Sequence, residues 1–221
     1  MTMIPLGDGS RRPRRMPVIT TAIIIANALV FVLELTGGEA FVLRWSEIPV
    51  DIMAGHRLIT VLTSMFMHAG WMHIIGNMVF LWAFGPEIED AMGPLPYLLF
   101  YLCSGVAGSL AQLAFVSDST VPNLGASGAI AGVMGAFVVT YPRDRIRTLL
   151  WFGWFARVAF VPALVLIGFW FLTQLFSQVG AVVAGVQTGG VAYAAHVGGF
   201  IFGAVTGRLF EGFRRIPEGE I

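Results

Sequence analysis

Apolar runs long enough to cross a bilayer recur along this chain, at about 18–36, 61–84, 95–116, 125–141, 157–176 and 190–210. A helical span needs about 20 such residues. Only 12% of the 221 residues are charged and the mean hydropathy is +0.80, whereas soluble domains carry about a quarter of their residues charged. Lipid is the natural solvent for such a chain. The fold class expected is an all-α membrane protein built as a six-transmembrane-helix bundle. The fourth run is short, as suits a helix packed inside a bundle. Pro and Gly mark the junctions ("TGGEA", "GPEIEDAMGPLP", "VPNLG", "YPRDRIR"), and no internal repeat is visible. The reading is one body over 18–212 with an Arg-rich cytoplasmic tail over 1–17 and a short cytoplasmic tail over 213–221.

The net charge is formally zero, which gives nucleic-acid binding no support. Arg11, Arg12, Arg14, Arg15, Arg143, Arg145, Arg147, Arg208, Arg214 and Arg215 fall on one side of the expected topology. The other side receives only Arg44 and Arg57. The positive-inside rule then puts both termini in the cytoplasm, and the segment 37–60, rich in aromatic and aliphatic residues, becomes an outer interfacial structure. The apolar stretch after the basic tail is long and lacks a small-residue cleavage site, so it reads as a retained helix. All basic residues are arginine, attributed here to a GC-rich bacterial genome, and the expected location is a bacterial inner (plasma) membrane. The single cysteine, Cys103, reads as a small core hydrophobe.

Polar side chains inside membrane helices are expensive and usually functional. Few occur here. Ser127 sits in "VPNLGASGAIAGVMGA"; His68, His73 and Asn77 in "MHAGWMHIIGNMVFLW"; His196 in "AYAAHVGGFIFGAVTG". His73 and Asn77 share one helix face. Gly199, Gly203 and Gly207 repeat every fourth residue, as do Gly128, Gly132 and Ala136. Stripes of this kind let helices approach closely in lipid, and facing stripes bring Ser127 and His196 to similar depth. Histidine within reach can take the serine proton. Asn77, His73 and the Ser127 backbone N–H can stabilise the oxyanion that follows. No carboxylate lies in the apolar core of a span, so a Ser–His dyad is the most the sequence offers. A nucleophile elbow of the α/β hydrolases is excluded, because Ala129 replaces its last glycine and no strand precedes.

These motifs resemble the G-x-S-G, H-x₄-H-x₃-N and A-H-x-x-G-x-x-x-G signatures of the rhomboid family of intramembrane serine proteases, over about residues 18 to 212. The resemblance implies Ser127 as nucleophile, His196 as base and His73 with Asn77 in the oxyanion hole. It further implies an architectural His68, a membrane-embedded loop over 37–60, and a movable entrance formed by the fifth helix and the loop 177–189. The sequence departs from the pattern twice. Ala131 replaces an aromatic residue that would stack near His196, and Ile59 and Thr60 stand where a Trp-Arg pair is common.

The implied partners are single-span transmembrane protein substrates and the lipid bilayer, with no cofactor and no stated oligomeric state. Other readings are weaker. Serine between glycines often bonds to its own turn. A metal site from His68, His73 and His196 lacks a carboxylate and the H-E-x-x-H spacing. A transporter lacks repeated broken helices. A non-catalytic rhomboid-like protein that binds membrane helices is the alternative to catalysis.

Overall fold

In the computed structural model, residues 2–184 and 192–212 are described. They form eight helices and a three-stranded sheet: β1 Thr2–Asp8, α1 Val18–Trp45, α2 Pro49–Met53, α3 Thr60–Thr63, α4 Trp71–Met92, α5 Pro94–Val116, α6 Ser127–Thr140, β2 Arg145–Phe152, β3 Phe155–Pro162, α7 Ala163–Ala184 and α8 Tyr193–Glu211. The architecture is mostly helical. Among the described residues, three helices are long and apolar enough to cross a membrane, Val18–Trp45, Pro94–Val116 and Ala163–Gly180, and α6 is a shorter apolar helix.

The elements differ from the sequence reading in several places. The first span continues into a second helical limb, and the break falls at Gly38, whose φ of 60° is open to glycine without strain. The expected span 61–84 starts late. Residues 60–66 make short turns and the long helix runs from Trp71 to Met92. The expected span 157–176 begins as a strand, because "RIRTLLWFGWFARVAFVP" folds into a hairpin before α7 starts at Ala163. β-branched and aromatic residues favour that pleated surface. Period-two alternation buries Ile146 and Thr148 while exposing Arg145 and Arg147. The tail over 1–17 contributes β1, which pairs antiparallel with β2 in the order β1-β2-β3, with a register shift between Pro5 and Gly7. Cys103 is exposed on α5 rather than in the core.

The core lies where α6 is wrapped by α4, α5 and α8. Ala129, Ala131, Val133, Ala136 and Phe137 are almost completely buried, so α6 is apolar all round, as an enclosed helix must be. The glycine stripes meet in register. A Cβ on Gly199 would intrude on the Gly128 backbone, one on Gly203 on Gly132, and one on Gly207 on Ala136. Small-residue contacts therefore hold α6 and α8 backbone to backbone over two turns.

At the end of the bundle opposite Ser127, Glu89 of α4 caps the start of α1. Its carboxylate accepts the N–H groups of Ile19 (2.8 Å) and Thr20 (2.7 Å) and the Thr20 hydroxyl (2.8 Å). An anion at a helix N-terminus satisfies donors that have no partner within the helix. Nearby, Arg11 forms an ion pair with Asp144 and lies 3.8 Å over the Tyr141 ring. This pairing ties the N-terminal segment to the α6–β2 connection.

The segment 46–60 is pinned rather than loose. Glu47 and Asn123 exchange backbone hydrogen bonds (3.1 and 2.7 Å), and Arg57 donates to Asp51 (2.9 Å) and to the Arg44 carbonyl (2.6 Å). The Thr63 hydroxyl donates to the Trp45 carbonyl at 2.7 Å. These bonds hold the segment beside Ile59 and Thr60, where the Trp-Arg pair is missing.

Candidate functional site

Ser127 is the first residue of α6. The chain reaches it through Gly125, whose φ of 139° disfavours any side chain and whose N–H donates to the Ser64 carbonyl at 2.9 Å. A Cβ at Gly125 would stand 3.0 Å from the His73 ring, so this glycine also makes room for histidine beside the serine. The helix start turns its unpaired N–H groups, and the positive end of its dipole, toward the same point.

His196 enters from the first turn of α8. Its Nε2 lies 2.7 Å from Ser127 Oγ, a full hydrogen bond. The contact follows from the stripe register, which sets α8 against α6 just below the two residues. His196 Nδ1 lies 2.7 Å from Oε1 of Gln174 on α7. The Trp170 ring, one turn earlier on α7, is 5.7 Å from the imidazole centroid at a tilt of 36°. The aromatic residue absent at position 131 is thus replaced from another helix. Ala131 itself is fully buried.

His73 and Asn77 lie on the first turns of α4. The Ala69 N–H donates to His73 Nδ1 at 3.4 Å, which leaves the ring proton on Nε2. Asn77 is buried, and its Nδ2 amide has no hydrogen-bond partner among the described residues. Unpaired buried donors are uncommon and call for a functional explanation. Ser127, His196, His73 and Asn77 all line one cleft of about 580 Å³, whose remaining wall includes Phe80, Ile130, Met134 and Trp170. Of the five polar side chains singled out from the sequence, these four line one cleft.

His68 stands apart from the cleft. It is 3% exposed, packs edge-on against His73 at 5.1 Å, and its backbone N–H is accepted by both carboxylate oxygens of Glu34 (3.1 and 3.0 Å). That arrangement fits a wedge between α1 and α4. Among the described residues no group of three His, Cys, Asp or Glu side chains is arranged to hold a metal ion. The entrance expected over 177–189 is helical as far as Ala184, and 185–191 lie outside the described residues.

Trp170 and Gln174 were not among the residues singled out from the sequence. They lie 26 and 22 positions before His196 on a helix whose apolar composition hides them. The only available signal was Gln174 itself, a polar residue within a predicted span.

Chemically, the arrangement sets a hydroxyl against an imidazole in a mostly apolar cleft, with unpaired donors alongside. Such a set can deprotonate the serine and receive an oxyanion.

Comparison with known proteins bears on the family. The Rhomboid domain family profile matches residues 55–212. Similar proteins include "RHOMBOID-like protein 12, mitochondrial" of Arabidopsis thaliana, 34% identical over 141 residues, 57% of this chain and 42% of that one. "Rhomboid protein 1, mitochondrial" of Saccharomyces cerevisiae is 30% identical over 164 residues, 67% of this chain and 41% of that one. "Rhomboid protease GluP" of Bacillus subtilis is 31% identical over 140 residues, 60% of this chain and 27% of that one. The matches thus span less than half the length of these relatives. Two of the three names are mitochondrial, which does not favour the bacterial inner membrane over an organelle.

Proposed function

Because the chain belongs to the rhomboid family, we propose that it is an intramembrane serine endopeptidase that hydrolyses peptide bonds in or near the transmembrane segments of single-span membrane proteins. The observation that carries this reading is the 2.7 Å contact between His196 Nε2 and Ser127 Oγ at the wall of a cleft. The membrane architecture goes with it. The first limb of α1, then α4, α5, α6, α7 and α8 are read as six spans of a rhomboid-type bundle. Arg11, Arg12, Arg14 and Arg208 gather at the end away from Ser127, which supports cytoplasmic termini and a dyad in the outer half of the bilayer. The arginine-only basic set favours a bacterial inner membrane.

In the reaction, Ser127 Oγ attacks the scissile carbonyl carbon while its proton passes to His196 Nε2. The carbonyl oxygen becomes an oxyanion, received by His73 Nε2–H, Asn77 Nδ2–H and the N–H groups at the start of α6. As the C–N bond breaks, the imidazolium returns its proton to the departing amine, leaving an ester on Ser127. Water then attacks the ester with His196 again as base, and the carboxylic acid departs as the serine is regenerated. An intact substrate helix shields its own backbone, so the substrate unwinds locally to present that carbonyl.

The test is cleavage of a single-span fusion substrate in liposomes, comparing the wild type with Ser127→Ala. Loss of cleavage in the variant supports the protease. Equal behaviour would favour the non-catalytic helix-binding reading.

A further inference from the structure

We propose that Gln174 of α7 is a positioning residue for the base, holding His196 in the tautomer that leaves Nε2 free to accept the Ser127 proton. The inference rests on the protease reading above and adds a third member to what the sequence offered as a dyad.

The assignment follows from counting donors and acceptors along one chain of contacts. The Thr173 hydroxyl donates its only proton to the Trp170 carbonyl at 2.6 Å. A hydroxyl that has spent its proton can only accept, so the group facing it at 3.2 Å is the Gln174 amide nitrogen. That fixes the orientation of the carboxamide, and its other end, Oε1, lies 2.7 Å from His196 Nδ1. A carbonyl oxygen accepts but cannot donate, so the imidazole proton resides on Nδ1. The neutral ring then has its lone pair on Nε2, 2.7 Å from Ser127 Oγ. The order is Trp170 carbonyl, Thr173 hydroxyl, Gln174 amide, His196, Ser127, and each link satisfies the next.

Two features suit this arrangement to lipid. A carboxylate in the third position would put an ion into an apolar bundle, which is costly unless it is paired. A carboxamide fixes the same tautomer with no charge. Trp170, one turn from Gln174 on the same helix, packs on the imidazole and limits its rotation. One helix, α7, therefore supplies both the ring packing and the tautomer control.

The experiment measures kcat, KM and the pH profile of kcat/KM in liposomes for the wild type, Gln174→Met, Gln174→Glu and Ser127→Ala. Labelling of Ser127 by a fluorophosphonate is followed in parallel. Methionine fills the space but offers no comparable acceptor. It is expected to lower kcat and the labelling rate by about 10–100-fold with KM little changed, in line with an ill-positioned general base. Glutamate restores an acceptor that also stabilises the imidazolium. It is expected to recover much of the rate above the acid limb of the profile and to move that limb upward by about one unit or more.

Wild-type kcat and labelling in Gln174→Met would overturn the proposal. So would a slow Gln174→Met accompanied by an unmoved pH profile in Gln174→Glu, which is the pattern of a packing residue. The Ser127→Ala control separates the two levels: if it cleaves like the wild type, the protease reading itself has failed, whatever Gln174 does.

Discussion

Substituting Gly199 by Ala tests whether the stripe contact between α6 and α8 sets the dyad. The added Cβ would stand 2.9 Å from the Gly128 carbonyl carbon and 3.3 Å from its Cα, and closer still to its oxygen. Carbon contacts are comfortable only at about 3.5–4.0 Å, and the obstacle is backbone, which cannot rotate away. The helices must part by about 1 Å at this level. Gly199 lies three residues from His196, so nearly the same displacement reaches the 2.7 Å contact with Ser127 and stretches it past the range of a hydrogen bond, about 3.2 Å. A misplacement of about 1 Å can cost 10²-fold in rate, and the overpacking about 1–3 kcal/mol in stability. The assay pairs liposome cleavage with thermal unfolding. Gly168→Ala, whose Cβ would meet nothing within 4 Å, serves as control. A Gly199→Ala protein that cleaves at the wild-type rate would refute the argument that backbone contact at this level positions the base.

Asn77→Ala removes an unpaired donor and should lower kcat by about 10²–10³-fold with KM nearly constant, the usual cost of one oxyanion donor; steady-state kinetics on the fusion substrate check it. Gly125→Ala introduces strain at φ 139° and presses on the His73 ring at 3.0 Å, so cleavage should fall by at least about 10-fold while the protein remains folded by circular dichroism. Burial pushes the Asp8 carboxyl up from 3.8 to about 6, whereas the Arg11 hydrogen bond holds Asp144 below its usual value. Folding therefore favours protonated Asp8. Its contribution is full below pH 3.8 and is lost as pH rises through about 6, the opposite sense to Asp144, whose contribution is lost as pH falls below 3.8. Unfolding temperature measured from pH 4 to 7.5 should decline less in Asp8→Asn than in the wild type.

Much of the site was legible because its determinants are local or periodic. Glycines at every fourth position announce a close helix contact, and that register alone carries Ser127 to His196. His73 and Asn77 share a face because four residues make about one turn. The hairpin was not legible in the same way. Residues 158–162 are apolar without a helical signature, and a short apolar run reads equally as buried strand or helix. The pairing of β1 with β2 joins segments more than a hundred residues apart, and nothing in "MTMIPLGD" names its partner. Gln174 and Trp170 escaped for a related reason. Their meaning lies in which face of α7 is turned to α8, and a helix apolar nearly all round gives no periodic cue to that face. Cys103 was misread because membrane helices expose apolar residues to lipid, so hydrophobicity there does not imply an interior position.

The central claim is that His196 activates Ser127. The most direct measurement is phosphonylation by a fluorophosphonate in lipid, with the adduct mapped by mass spectrometry in the wild type and in His196→Ala. A single adduct on Ser127 that forms readily in the wild type and at least about 100-fold more slowly without the imidazole is the predicted result. An unlabelled Ser127 in the folded wild-type protein, or equal labelling in both, would contradict it.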